Sequence, residues 1–339
     1  MSESTERCNE MPSDLSDSIN DDVPVPSSRR LAQTWPFPRY YAYQRKMRET
    51  AKQWFDSKDL PRDPKYAFIL DKWENWPSNL ILPDVVEYIK RHKAICEGEG
   101  KPFPLHKYLH HGLSSQAMAF NLVGPLIVRH DYEPLLAALR SVGVSCEKQL
   151  EDAVSEFEDR KVFNEDSGQP TSIDIALRDA SGRPFVFIES KMMEAEFGSC
   201  TVLGMGDCAG KNPLPAKTGC YLHHIGRRYW TLAEKHGLAD LMKGERQCVL
   251  ALNYQFFREL LFALEYGGIF VLLHDERSPV FHCDTGSDSG GIMPFVMQFV
   301  PDRLRSRVAS LSMQTLAKYI ADSGRHADWI GDFRQKYGL

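Results

Sequence analysis

Four consecutive apolar residues, Phe185-Val186-Phe187-Ile188, run straight into Glu189-Ser190-Lys191. A segment apolar on both faces must lie inside a sheet that is covered on each side, so it predicts a central strand. Its charged end is the informative part. Period-two alternation puts Glu189 and Lys191 on one face. Just upstream, Ser172–Leu177 alternates with Ile173, Ile175 and Leu177 on one side, and Asp174 falls on the other. Asp179–Pro184 contains Ser181-Gly182 and has turn composition, which makes the two segments a hairpin. Such a hairpin brings two carboxylates and a lysine to one strand end.

The surrounding pattern places this hairpin in a larger core. Val154–Val162 alternates loosely and reads as an earlier strand, and Ile269–Leu273 reads as a buried strand. Between them, residues 246–266 space Leu252, Phe256, Leu260 and Ala263 as a helix does, with Gly267-Gly268 as its stop. One helix is predicted over 132–141. Another follows Ser114-Ser115 and carries Met118, Leu122 and Leu126, with an interruption near Gly124-Pro125. Helix, three strands, helix, strand over about 132–274 is an α/β core whose last helix is a crossover between strands. Further helices are expected over 39–57, 83–96, 301–322 and 325–336.

Composition divides the chain. Residues 1–30 hold seven acids, Glu3, Glu6, Glu10, Asp14, Asp17, Asp21 and Asp22, against three arginines, with few large apolar groups. This predicts a disordered acidic tail. Residues 31–112, rich in aromatics such as Trp35, Trp54, Trp73 and Trp76, read as a helical auxiliary region. Residues 113–339 read as the main domain, with a Cys-bearing insertion at about 195–230. The net charge of -5 argues against a protein that coats nucleic acid nonspecifically. No run of about 18 apolar residues and no secretory signal layout is visible, so the expectation is a cytoplasmic chain with reduced cysteines and no membrane partner.

Asp174, Glu189 and Lys191 suggest a chemistry. Phosphodiester hydrolysis needs an activated water and stabilisation of the charge that builds on phosphorus, and a hard divalent ion serves both ends. Asp174, Glu189 and the Ser190 carbonyl would suffice as protein ligands for magnesium or manganese, which keep several waters. Lys191 could orient the water, act as base or neutralise charge. Ser172-Ile173-Asp174, thirteen residues, then Ile188-Glu189-Ser190-Lys191 resembles the PD-(D/E)XK nuclease core, with Ile173 where the family name has proline. Over roughly 114–274 the chain is most similar to the bacterial restriction-endonuclease-like branch. The resemblance implies a restriction-endonuclease-like fold, a mixed central sheet flanked by helices with helical N- and C-terminal additions. It also implies cleavage of DNA in restriction, repair or defence, with a second copy of the chain or a defence protein as candidate partner. The competing reading is an inactive nuclease-like binding or interaction module.

Supporting residues are less sharply marked. Gln255 and Arg258 lie three apart on the predicted crossover helix. Nuclease relatives often place a Gln or a basic residue there, which makes Gln255 a catalytic candidate and Arg258 a phosphate contact, against a solvated polar stripe. Gln116 is a nucleic-acid-binding candidate on the first helix, with packing or capping the alternative for it and for Asn121. Cys200, Cys208 and Cys220 stand among Gly, Pro and Asp residues. With His223 or His224 they would complete a tetrahedral zinc set. A fourth thiolate from Cys248, Cys96 or Cys146 would instead allow an iron–sulfur cluster, and ordinary buried cysteines are the third reading. A Cys–His hydrolase has no nucleophile-elbow signal to support it.

Overall fold

The structure, a computed structural model, describes residues 37–145, 148–281 and 291–339. The acidic tail and Cys146 lie outside the described residues. Helix α1 (Phe37–Ser57) is followed by α2 (Pro83–Gly98), α3 (Ser115–Leu122), α4 (Gly124–Arg129) and α5 (Glu133–Ser141). Strands β1 (Leu150–Glu158), β2 (Ser172–Asp179) and β3 (Pro184–Lys191) come next. The insertion carries the short helices α6 (Thr201–Gly204), α7 (Tyr221–His224), α8 (Tyr229–Lys235) and α9 (Leu238–Met242). Then come α10 (Val249–Leu252), α11 (Tyr254–Glu265) and β4 (Ile269–His274), followed by α12 (Ile292–Met297), β5 (Val308–Ser312), α13 (Met313–Asp322) and α14 (Ile330–Tyr337).

The five strands form one mixed sheet in the order β1-β2-β3-β4-β5. The first three are antiparallel, and β3, β4 and β5 run parallel. This is the α/β architecture, a mixed central sheet flanked by helices, that the resemblance implies. Every residue of β3 is buried. Phe187 packs into the apolar cluster on one face with Phe256, Phe262 and Phe270, while Val186 and Ile188 pack into the cluster on the other with Val271, Leu273 and Trp329. A central strand sealed on both faces is therefore a fixed platform for whatever its end carries. Gly268 explains the tight helix-to-strand junction: a Cβ there would lie 2.6 Å from the Phe187 ring and 2.8 Å from the Phe185 carbonyl oxygen.

The region ahead of the core is bound to it. Buried Tyr43, Met47, Ala51, Trp54 and Phe55 recur on one side of α1 at helical spacing. Tyr43 donates its hydroxyl to Asp275 Oδ2 at 2.9 Å and reaches the Met192 carbonyl at 3.1 Å. Helix α1 thus clasps the chain where it leaves β3 and β4.

Some expected elements differ: the strand expected over Val154–Val162 runs over Leu150–Glu158, and the helix expected over 325–336 begins at Ile330. The helix expected over 301–322 is a 3-10 turn (Asp302–Arg307), then β5, then α13. Leu304, Val308 and Leu311 have helical spacing. The open edge of β4 nonetheless captures Val308–Ser312 in parallel register, and α13 begins where Ser312 Oγ accepts the Thr315 N–H at 3.0 Å. The helix expected over 246–266 is broken at Asn253 (φ -125°, ψ 46°) into α10 and α11.

Lys336 on α14 is buried, with Nζ 2.7 Å from Asn79 Oδ1, and burial lowers its pKa to about 7. An unfolded lysine keeps its proton to about pH 10.4. The unfolded chain therefore binds the extra proton between these values, and stability rises with pH across that window. Urea unfolding of wild type and Lys336→Met should show wild type gaining on the variant by on the order of 1 kcal/mol per pH unit between pH 7.5 and 9.5. A constant difference would mean that Lys336 stays charged in the fold.

Candidate active site

The hydrogen-bond ladder sets the site. Ile175 pairs with Ile188 across the β2–β3 hairpin, which brings Asp174 alongside Glu189 and Ser190. The Ser190 N–H donates to Asp174 Oδ2 at 2.8 Å. Lys191 Nζ donates to Glu189 Oε1 at 2.7 Å, with both side chains almost wholly buried. On α11, Gln255 donates its side-chain amide to the same Glu189 oxygen. Its position is fixed by the chain leaving β3, since the Tyr254 and Gln255 N–H groups donate to the Gly198 and Phe197 carbonyls at 3.0 and 3.1 Å. The break at Asn253 thereby starts α11 directly beside the strand end.

Sequence reasoning missed three acids that complete the cluster. Glu156 on β1 falls opposite Asp174, between the pairs Ser155–Ile175 and Phe157–Ile173. It takes a left-handed φ of 55°, a conformation seldom adopted by a non-glycine residue and one that concentrates at functional sites. Glu194 accepts the Ser115 hydroxyl at 2.6 Å and the Met192 N–H at 2.7 Å. Glu259 lies four residues after Gln255 on α11 and is fully buried. The Gln255–Glu259 spacing was a readable signal, because i and i+4 share a helix face. Glu156 offered none, since its place depends on strand register.

These acids raise one another. Burial, then Glu189 and Glu156, push the Asp174 carboxyl well above the usual carboxylate range, with Lys191 and the Ser190 N–H acting the other way. Burial pushes Glu156 up to about 7 despite hydrogen bonds from Gln116 and Ser172. Glu259 is raised well above its ordinary value by burial and Glu189. For Lys191, burial opposes the charge. Glu189, Glu194, Glu259 and Asp174 overcome it and hold the ammonium protonated.

A cavity of about 770 Å³ opens onto this cluster, lined by Glu156, Asp174, Glu189, Lys191, Gln255 and Arg258 among others. Arg258 lies over the Tyr254 ring at 5.0 Å, and no carboxylate reaches it at ion-pair distance among the described residues. Residues ahead of the core, including Arg48, His106 and His111, line the facing wall. Gln116 has its amide engaged: it donates to Glu156 Oε1 at 2.7 Å and the Pro104 carbonyl at 2.9 Å, and accepts the His106 N–H at 2.9 Å. That geometry makes it a holder of Glu156, and it also lines the cavity. Asn121 points elsewhere, to Ile81, Asn79 and Tyr337, and ties helices together.

The donor set suits a hard cation, because buried acids outnumber the cations that offset them. No three His, Cys, Asp or Glu side chains among the described residues converge on one ion as they stand. Asp174, Glu189 and Ser190 all line the cavity. Cys200, Cys208 and Cys220 in the insertion, and Cys248 just ahead of α10, are all free thiols. Cys208 and Cys220 act electrostatically on Cys200, and Cys200, Cys208 and Cys220 act on Cys248. Cys96 stands apart, at the end of α2.

A family model described as Restriction Endonuclease associating with ARP matches residues 45–338. No curated protein and no solved structure matches the chain. None of the helices in the described residues is long and apolar enough to cross a membrane.

The raised acids predict a pH dependence. An unfolded glutamate titrates near 4.3, whereas Glu156 in the fold holds its proton to about 7, so the folded state binds more protons between these values. Stability then falls as pH rises through the window. In chelator, the urea midpoint should drop from pH 5 to pH 8. Glu156→Gln should flatten that drop by roughly one group's worth, and manganese should restore stability at pH 8 with little effect at pH 5. An unchanged midpoint in wild type would show that the acids are not strained against one another.

Proposed function

The chain belongs to the family of restriction endonucleases associating with ARP, and on that premise we propose that it is a metal-dependent DNA endonuclease of defence whose centre is Asp174, Glu189 and Lys191. The observation that carries this reading is the buried cluster of mutually raised carboxylates around one lysine at a strand end, open to a cavity. The family description names a restriction endonuclease. The hydrolysis of DNA, the metal and the roles below are the proposal.

Asp174 and Glu189 would hold magnesium or manganese, with Glu156 across the ladder as a further acid within the same cluster. The ion supplies a water activated near neutral pH and charge stabilisation for the phosphorane-like transition state. Gln255 and Lys191 both donate to Glu189 Oε1, which fixes the carboxylate's orientation. Lys191 acts as an ammonium rather than a base, because four carboxylates favour its charged form, and its task is to offset charge developing on the scissile phosphate. Arg258, charged and without an ion-pairing carboxylate among the described residues, would receive a phosphate oxygen. Residues 37–112 then serve as the opposite wall of the DNA channel, through Arg48, His106 and His111. The family description names an ARP association, and a partner protein of that kind is proposed for this chain as well.

Plasmid cleavage with manganese tests the assignment. Lys191→Ala should lose roughly two orders of magnitude or more in rate while still binding manganese, as expected for a group that stabilises the transition state. Asp174→Ala should lose cleavage together with manganese affinity. A wild-type rate for Lys191→Ala, where Asp174→Ala is inactive, would reduce Lys191 to an ordinary ion pair. No cleavage by wild type with either metal would favour the inactive, nuclease-like module.

A further inference from the structure

The wall of the cavity that faces the acids is built from aromatic rings. Phe68, His106, Tyr108 and His111 line it together with Pro104 and Leu113. Tyr108 joins the rings into one platform: its centroid lies 5.0 Å from that of His106 and 4.8 Å from that of His111, and the residue is 39% exposed. Two of these rings carry a cation. The Arg48 guanidinium lies over the Phe68 ring at 5.2 Å, and Lys107 Nζ lies over the Tyr108 ring at 4.8 Å. The imidazoles add no charge near neutral pH, since burial lowers the pKa of His106 and brings that of His111 down to about 4.

The backbone fixes this platform and ties it to the carboxylates. The Gly112 N–H donates to the Phe68 carbonyl at 2.9 Å, Ile69 bridges His111, and the Asn79 side-chain amide donates to the Leu109 and His111 carbonyls at 2.8 Å each. A Cβ at position 112 would lie 2.7 Å from the Ala51 Cβ, so glycine is what lets the segment press this close to α1. At the other end, Gln116 accepts the His106 N–H and donates to Glu156. Rings that are already held in place cost a ligand little ordering entropy.

Charge and ring faces together select the ligand. A DNA duplex carries one negative charge per about 1.7 Å of axis and keeps the faces of its bases covered by their neighbours. It calls for a basic track. Among the described residues the cavity offers Arg48, Lys191 and Arg258 against Glu156, Asp174, Glu189 and Glu194. Its neutral rings instead reward a base whose faces are open, because stacking on an aromatic side chain needs an uncovered π-face. We propose that the cavity takes single-stranded DNA, with an unpaired base stacked on the Tyr108 platform and the adjoining phosphate directed toward Lys191 and Arg258. The inference rests on the nuclease reading of the site and names its substrate class. Tyr108 is then a specificity residue that touches the base and leaves the reacting phosphate to others.

Fluorescence anisotropy of the full-length protein in calcium, a hard cation that neutralises carboxylates, compares a labelled single strand with the duplex of the same sequence. The single strand should bind tighter by about tenfold or more, and 2-aminopurine placed in it should lose emission as it stacks. Tyr108→Leu should weaken single-strand binding about 5- to 150-fold, the size of one base–aromatic contact, and leave duplex binding as it was. Tyr108→Phe should keep both, because the ring is what stacks. A duplex bound as tightly as the single strand, a Tyr108→Leu loss shared equally by both, or no binding to either would overturn the proposal. Cleavage in manganese separates its failure from that of the nuclease reading. Duplex plasmid cut as fast as a single-stranded circle would sink the single-strand proposal and keep the nuclease, whereas ring-dependent binding of single strands without any cleavage would keep the proposal and remove the nuclease.

Discussion

Buried negative charge at the end of β3 is the constraint around which this molecule is arranged. Asp174, Glu189, Glu194 and Glu259 act on the Lys191 ammonium, and Glu156 acts on Asp174 from the neighbouring strand. One buried lysine offsets one such acid. Carboxylates left without a cation in a low-dielectric interior either take up protons or must be forced together by the surrounding fold. The apolar packing on both faces of β3 supplies that force: Phe187 on one side and Val186 and Ile188 on the other leave the strand no freedom to relax.

The rest of the architecture follows from positioning that cluster. The antiparallel hairpin sets Asp174 beside Glu189, and the ladder to β1 adds Glu156. The Asn253 break lets α11 begin where the Phe197 and Gly198 carbonyls receive it, which puts Gln255 on Glu189. Helix α1 closes the other side through Tyr43, whose hydroxyl bonds the chain just past β3 and β4. The elements ahead of the core are therefore part of the site's frame, and they also provide the cavity wall that faces the acids.

Local pattern made some of this legible in the sequence and tertiary pairing hid the rest. The β2–β3 hairpin, the central β3 and the Asp174, Glu189 and Lys191 group could be read, because alternation and turn composition act within a few residues. Strand β5 could not, because Leu304, Val308 and Leu311 satisfy helical spacing equally well and only the β4 edge decides between them. Glu156 was invisible for the same reason: its place opposite Asp174 is a matter of register, and its left-handed backbone leaves no composition signal. Gln116 could be singled out, but its partner Glu156 could not, since it lies 40 residues away. Backbone pairing joins Cys248 to the insertion, its N–H donating to the Gly210 carbonyl, and such pairing leaves no sequence signal.

The most direct measurement is a crystal structure of the full chain grown with manganese, using anomalous scattering to locate the ion. The charge argument predicts an ion held by Asp174 and Glu189 oxygens at about 2.1–2.2 Å, with Lys191 still an ammonium beside it and not a ligand. An acidic cluster that stays empty at saturating manganese, or an ion bound elsewhere while Asp174 and Glu189 keep their present hydrogen bonds, would contradict it.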